Sequence, residues 1–152
     1  MSKSGELEAL YRELILDHAR NPRNFGKLAN ATHVAEGINP LCGDKLKLYL
    51  RVDRDVIKAV RFEGTGCAVA VASASILTDT LCTLECDTAL TCADAVTRRL
   101  TDAPEQLTHA LPDDMRALDG VKAFPARVKC ATLAWKTLYS AINRDAQAAT
   151  TE

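Results

Sequence analysis

The chain has 152 residues, of which 47% are hydrophobic and 26% charged, a balance typical of a soluble globular protein rather than a disordered one. This length predicts one domain over residues 1–152, and the low aromatic content of 5% predicts a mostly aliphatic core. The 19 basic and 20 acidic residues leave a net charge of −1, which argues against a nucleic-acid-binding protein.

The first predicted element is a helix that begins near Ser4, a residue type that caps helix N-termini. Its apolar stripe follows helical spacing and consists of Leu7, Leu10, Tyr11, Leu14, Ile15 and His18. Asn21-Pro22 should end this helix, because proline disfavours helical dihedral angles in the residue before it. Residues 21–31 are predicted to form a loop.

Three strands are predicted next. The first is short and covers His33–Gly37, and the second covers Lys45–Val52, where apolar and polar residues alternate as in a half-buried strand. Asp53-Arg54-Asp55 is typical of a tight turn. The third strand, Val56–Glu63, then completes a hairpin within a three-stranded antiparallel sheet.

Helices are predicted for most of the remaining chain. The segment Ala68–Thr83 is rich in small residues, which would let a helix lie close to the sheet. Another helix is predicted from about Asp87 to Leu100. A polar loop is then expected over residues 101–111, and a short helix over Pro112–Leu118.

The last predicted helix begins at Pro125, because proline suits the first helical turn. Its buried stripe consists of Ala131, Trp135, Leu138 and Ile142. The tail from about 146 to 152 is expected to fray. Together these elements predict an α+β fold in which helices cover a small three-stranded antiparallel sheet.

The six cysteines are the unusual feature of the composition, and they could form disulfides, bind metal or carry thiol chemistry. Disulfides need an oxidising compartment, but the first residues, MSKSGELEALYREL, show no apolar stretch of the secretory kind. No segment approaches the roughly 18 continuous apolar residues of a membrane span. We therefore expect a cytoplasmic protein with reduced thiols and no membrane partner.

Three cysteines lie at predicted ends of elements, where side chains can converge. Cys42 and Asp44 lie in a turn before the second strand, Cys67 lies at the start of a helix, and Cys130 lies near the start of the last helix. Helix N-termini and nearby cations favour thiolates, and Arg127 and Lys129 provide such cations near Cys130. Three thiolates and a carboxylate would suit a tetrahedral zinc site.

The spacing alone leaves two interpretations open. No CxxC pair of the zinc-ribbon type is present, so the three residues could also be unrelated, half-buried cysteines. Cys82, Cys86 and Cys92 fall on helical segments, and we interpret them as small core residues rather than a second metal or disulfide site. The stripe position of His18 favours a core-edge or interface role over metal ligation.

Four motifs occur in this order along the chain: LYRELILDHARNPRNFG, NPLCGDKLKLYL, FEGTGCAVAVASASILTD and FPARVKCATLAWKTL. Together they resemble the SufU proteins, a branch of the IscU/NifU-like family that serves iron–sulfur cluster assembly. The resemblance extends from about residue 8 to residue 145, and it implies a small α+β sandwich. It also implies that Cys42, Asp44, Cys67 and Cys130 bind zinc.

Two departures from the IscU branch favour the SufU branch. IscU proteins carry a histidine immediately before the last cysteine, where this chain has Lys129, and a protonated lysine has no lone pair for a metal. IscU proteins also carry an LPPVK chaperone-docking motif, where this chain reads AFPARVK.

The resemblance implies an activity and its partners. SufU proteins accept persulfide sulfur from a PLP-dependent cysteine desulfurase, usually SufS, and pass it towards downstream iron–sulfur assembly proteins. Cys42 is the expected sulfur acceptor because it lies in a turn beside Gly43, and Cys130 is the alternative. Two other functions stay open: a scaffold that builds a labile iron–sulfur cluster on the same ligands, and a structural zinc module without turnover.

Overall fold

The computed structural model describes residues 3–102, 117–118, 121, 124–144 and 148–151, so most of the predicted loop 101–111 and short helix 112–118 lies outside it. In chain order the elements are α1 (Lys3–Arg20), β1 (His33–Asn39), β2 (Asp44–Asp53), β3 (Val56–Thr65), α2 (Ala68–Leu81), α3 (Cys86–Asp102), α4 (Pro125–Asn143) and β4 (Ala149–Thr150). Helix α1 begins before Ser4, which therefore lies within its first turn and is not the residue preceding the helix.

The predicted antiparallel meander is present and the α+β class is confirmed. Strand β2 pairs with β1 on one side and with β3 on the other. Arg54 and Asp55 join β2 to β3 with φ values of 52° and 63°. These left-handed conformations give the turn a twist that matches a two-residue hairpin.

The sheet has a fourth strand that the sequence did not predict. Its order is β3-β2-β1-β4, and β4 runs parallel to β1. The expectation of a frayed tail is wrong for residues 149–151, because the Thr151 amide also donates to the Ile38 carbonyl at 3.3 Å. A two-residue strand has no periodicity that could be recognised in a sequence.

Helix α4 lies directly on the sheet. A Cβ atom at Gly37 would lie 3.1 Å from Leu133 Cδ1 and still closer to Thr137, so only glycine allows this approach of α4 to β1. Trp135 is fully buried between the elements, and its indole nitrogen donates to Ser73 of α2 at 3.1 Å. His18 of α1 is also buried and bonds Ser75 of α2 at 2.8 Å.

This packing brings three chain segments to one end of the sheet. They are the β1–β2 turn, the junction between β3 and α2, and the first turns of α4. The predicted ligands Cys42, Asp44, Cys67 and Cys130 lie on these segments. No helix among the described residues combines the length and apolar character needed to cross a membrane.

Candidate metal centre

Three of the four predicted ligands converge in the structure. The ligand atoms of Cys42, Asp44 and Cys130 all lie within 4.8 Å of one another. Among the residues that the structure describes, no other set of three or more potential metal-ligating side chains is this close. Two sulfurs and a carboxylate oxygen at this separation form an incomplete ligand set for a thiophilic cation.

Asp44 is the first residue of β2 and is fully buried. One carboxylate oxygen accepts the Cys67 amide at 2.8 Å, and the other accepts the side-chain amide of Asn39 at 2.9 Å. Gly66 makes room for this carboxylate: with φ at +154°, a Cβ there would lie 3.0 Å from Asp44 Cβ and closer still to Oδ1. The Cys67 amide, the Asn39 side chain and the bare Cα of Gly66 therefore form a cradle for this carboxylate.

Cys67, the fourth predicted ligand, lies beside this group but outside its 4.8 Å limit. It is half-buried and directly precedes α2, with no side-chain cap on the helix. No acidic residue occupies the first turn of α2, so the positive end of the helix dipole is available to a negative group at this point. The thiol of Cys67 also interacts with that of Cys130.

Cys130 is fully buried in the first turns of α4. Burial raises the pKa of its thiol well above the usual value, and hydrogen bonds with Asp44, Cys67 and Cys42 raise that pKa further. This cluster of acidic groups therefore disfavours a further negative charge unless a cation is bound among them. A divalent metal supplies that charge and keeps coordinating thiols deprotonated.

One cation of the chain already lies at the edge of the site. The pKa of Arg127 is raised above its usual value, chiefly by its electrostatic interaction and hydrogen bond with Cys67 and then by its electrostatic interaction with Cys130. The Arg127 side chain is exposed to solvent. It can therefore balance part of the charge of the thiolates without competing for the buried ligand positions.

Cys42 differs from the other ligands because it is exposed. It lies in the turn between β1 and β2, next to Gly43, whose φ is +72°. A Cβ atom at Gly43 would meet no atom within 4 Å, so the turn faces open space. The turn that carries Cys42 is thus open to a reagent or a partner protein.

The other three cysteines do not join the site. Cys82 is exposed and its thiol donates to the Lys58 carbonyl at 3.5 Å, whereas Cys86 is half-buried. Cys92 lies in the core, where burial raises its pKa to about 11. Cys92 is thus a core residue, as we interpreted it from the sequence. The same interpretation is wrong for Cys82, which is exposed.

Sequence reasoning missed one residue of the site, Asn39. Its side chain is fully buried and donates both to Asp44, at 2.9 Å, and to the Cys130 sulfur, at 3.4 Å. Its place next to the Pro40-Leu41-Cys42-Gly43-Asp44 turn was the only available signal. Asparagine before proline is so common in turns that this position did not stand out.

The donor set fits zinc. Cys42, Cys67 and Cys130 offer sulfur, and Asp44 offers an oxygen that is held in place by hydrogen bonds to its carboxylate. Structural and catalytic zinc sites use such sulfur and carboxylate ligands in tetrahedral arrangements. The Asn39 side chain donates to the second oxygen of this carboxylate. Hydrogen-bond donors of this kind, outside the ligand set itself, orient metal ligands.

The sequence is similar to those of known proteins over nearly its whole length. The chain is 39% identical to the zinc-dependent sulfurtransferase SufU of Bacillus subtilis, over 95% of this chain and 97% of that protein. It is 34% identical to the iron–sulfur cluster assembly scaffold protein IscU of Streptococcus pyogenes, over 94% of this chain and 89% of that one.

The fold is also similar to that of a solved structure. A crystal structure of a candidate iron–sulfur cluster assembly scaffold protein for the SUF system, from Fervidobacterium islandicum, matches with a TM-score of 0.78. The two sequences are 33% identical, and the match covers 89% of this chain and 98% of the chain in that crystal structure. Residues 10–131 of the chain match the family described as the NifU-like N-terminal domain, and the chain therefore belongs to this family.

Proposed function

We propose that this protein accepts sulfur from the persulfide of a PLP-dependent cysteine desulfurase and delivers it to iron–sulfur cluster assembly. The observation that carries the proposal is an exposed thiol, Cys42, within 4.8 Å of the buried ligand atoms of Asp44 and Cys130. The similarity to a zinc-dependent sulfurtransferase over nearly the whole chain supports it.

We assign Cys42, Asp44, Cys67 and Cys130 as the ligands of a zinc ion. Zinc bound there would keep the thiols deprotonated and protect them from oxidation. Asp44 contributes an oxygen already held by the Cys67 and Asn39 amides. Arg127 balances the remaining negative charge of Cys67 and Cys130 from the solvent side.

Cys42 is the proposed sulfur acceptor. Its thiolate attacks the outer sulfur of the desulfurase persulfide, and a new S–S bond forms on Cys42. The original S–S bond breaks, and the desulfurase cysteine leaves as a thiolate, so the transfer consumes no oxidant or reductant. The alternative acceptor, Cys130, is fully buried, which argues against a direct attack by that residue.

The surroundings of Cys42 suit a protein partner. Leu41, the residue before Cys42, is 60% exposed. Phe124, the residue before helix α4, is 61% exposed. Exposed large apolar side chains beside a reactive group favour a docking surface. We propose that the desulfurase binds there, so that its persulfide reaches Cys42.

A desulfurase assay tests the acceptor role. Adding the zinc-loaded protein should raise the rate at which a SufS-type desulfurase releases alanine from cysteine. Cys42→Ala, Asp44→Ala, Cys67→Ala and Cys130→Ala should each lower both zinc content and stimulation. Cys82→Ser, Cys86→Ser and Cys92→Ser are matched controls that should keep both. Full stimulation by all four ligand variants would refute the mechanism.

A cluster scaffold is the second candidate function, favoured by the similarity to IscU proteins. The same residues would then hold a labile iron–sulfur cluster in place of zinc. Metal analysis with an absorption spectrum separates the candidates, because a zinc protein is colourless and a cluster protein is brown. A zinc-bound protein without any effect on the desulfurase would instead indicate a structural zinc module.

The proposed setting is the cytoplasm, where six free thiols remain reduced. Downstream assembly proteins would take the sulfur from Cys42 by the same exchange reaction. We propose neither a membrane nor a nucleic acid as a partner.

A further inference from the structure

We propose that Asn39 is a positioning residue for the metal centre and that the C-terminal strand β4 holds it in its working orientation. The inference rests on the zinc site of the proposed function, but not on the sulfur-transfer step. Asn39 is the last residue of β1 and pairs with Asp44, the first residue of β2. The strand register therefore places its fully buried side chain beside two proposed ligands.

Each polar atom of the Asn39 side chain has a partner. The amide nitrogen donates to Asp44 Oδ2 at 2.9 Å and to Cys130 Sγ at 3.4 Å. The amide oxygen accepts from the Thr151 hydroxyl at 2.9 Å. One side chain thus connects a carboxylate ligand, a sulfur ligand and the end of the described chain.

The orientation of this amide is determined from both sides. Asp44 Oδ2 and Cys130 Sγ both accept hydrogen bonds from the NH₂ group, and an amide oxygen in its place could not donate to either atom. The Thr151 hydroxyl donates to the oxygen on the opposite side. If the amide turned over, its oxygen would face Asp44 Oδ2 and Cys130 Sγ, and the two donor bonds would be lost.

Thr151 reaches this position because of β4. Ile38 pairs with Thr150 in the parallel ladder, and the Thr151 amide donates to the Ile38 carbonyl at 3.3 Å. Thr151 itself is buried although it lies near the end of the chain. The burial of a threonine hydroxyl against an asparagine oxygen is difficult to explain by packing alone, because a valine would fill the same volume.

The expected consequence is an effect of β4 on metal affinity. Outer hydrogen-bond partners orient metal ligands, and their loss usually weakens metal affinity by about 10- to 100-fold. Asn39→Leu, which removes both donor bonds, should fall in that range. Thr151→Val, which removes only the orienting hydroxyl, should weaken zinc affinity by about tenfold or less, and Thr151→Ser should restore it.

The experiment measures zinc affinity by competition with a chromophoric chelator, together with the absorption spectrum of the cobalt-substituted protein. The intensity and position of the cobalt bands report ligand geometry, so Asn39→Leu and Thr151→Val should change them. Thr101→Val is the matched control, because the Thr101 hydroxyl is exposed and, within the described part of the chain, bonds the Thr97 carbonyl of its own helix. It should keep the wild-type affinity and spectrum.

Wild-type affinity and cobalt spectrum in both Asn39→Leu and Thr151→Val would overturn the proposal. If Asn39→Leu does not fold, as judged by circular dichroism, the comparison of Thr151→Val with Thr151→Ser decides the question alone. No desulfurase takes part in these measurements. A wild-type protein that binds zinc but fails to stimulate the desulfurase would therefore refute the sulfur-acceptor role and leave this inference standing.

Discussion

Asp44 shows how much of the site depends on single atoms. Its carboxylate is fully buried and is held by the amides of Asn39 and Cys67. Gly66 is in contact with the same carboxylate and has no side chain that could displace it. The site is therefore sensitive to one methyl group at Gly66.

Gly66→Ala should weaken zinc affinity by at least about tenfold, because the new Cβ displaces an oriented ligand. Chelator competition measures the change. Gly43→Ala is the matched control, since it also has a positive φ but its Cβ would meet open space. It should cost about 1–2 kcal/mol of stability with a smaller loss of affinity. A Gly66→Ala protein with wild-type zinc affinity would contradict this account of the cradle.

The residue types of the proposed site could be predicted from the sequence, but their arrangement could not. Cysteines at the ends of elements indicated convergence, and the family resemblance selected Cys42, Asp44, Cys67 and Cys130. Asn39 was missed because its three partners lie 5, 91 and 112 residues away. Contacts at such separations arise only when the fold is assembled.

Helices α2 and α4 are connected by two consecutive buried hydrogen bonds. Trp135 Nε1 donates to Ser73 Oγ at 3.1 Å, and Ser73 Oγ donates to the Ala131 carbonyl at 2.6 Å. Both helices also carry proposed ligands at or near their first turns, Cys67 and Cys130. The spacing of the helices thus affects the spacing of the ligands.

Ser73→Ala should lower the free energy of unfolding by about 1–3 kcal/mol, because it leaves the buried Trp135 N–H without an acceptor. Urea denaturation monitored by tryptophan fluorescence measures this, since Trp135 is the single tryptophan. Thr80→Val is the control in the same helix, because the Thr80 hydroxyl bonds the Ile76 carbonyl one turn away within that helix. Equal midpoints for Ser73→Ala and the wild type would show that this chain of bonds contributes nothing.

The alternation of apolar and polar residues predicted where the strands lie better than it predicted which of their side chains are buried. Alternation correctly indicated β2 and β3, yet Tyr49 is buried although it alternates with the apolar residues of β2 and shares a face with Lys47 and Arg51. Its hydroxyl donates to Glu63, and the Lys47 ammonium lies 5.6 Å from the centre of its ring. Lys47 belongs to β2 itself, whereas Glu63 belongs to the neighbouring strand β3, and the alternation within β2 carries no information about a partner on β3.

At the scale of the whole molecule, the proposed zinc ion would connect segments that are distant in the chain. Cys42 and Asp44 belong to the β1–β2 hairpin, Cys67 to the β3–α2 junction and Cys130 to α4. These segments are brought together only in the folded state. Metal binding should therefore stabilise the folded protein selectively.

Zinc should raise the melting temperature. At a free concentration of 1,000 times Kd, the expected stabilisation is about 4 kcal/mol, or about 10 °C for a chain of this size. Differential scanning calorimetry with and without zinc measures the shift, and a chelator should reverse it. Cys82→Ser should keep the shift and Cys42→Ser should lose most of it. A melting temperature independent of zinc would exclude tight binding to the folded state.

The local patterns of strands and helices were sufficient to predict the α+β class, whereas the strand order depends on pairing between residues far apart in the sequence. The α+β class follows from three alternating strands followed by helices. The parallel pairing of β4 with β1 joins residues 37–38 to residues 149–150, and no local signal specifies it. The single domain over residues 1–152 stays a prediction.

The register of the β1–β2 hairpin has a consequence for chain length. Asn39 faces Asp44, so residues 40–43 form a connection of fixed length that carries Cys42. One inserted residue that shifted β2 by one position would turn Asp44 to the opposite face of the sheet. The Arg54-Asp55 turn lies at the other end of β2, where an added residue leaves the ligands in place. Length variation should therefore be tolerated at one end of the strand and forbidden at the other.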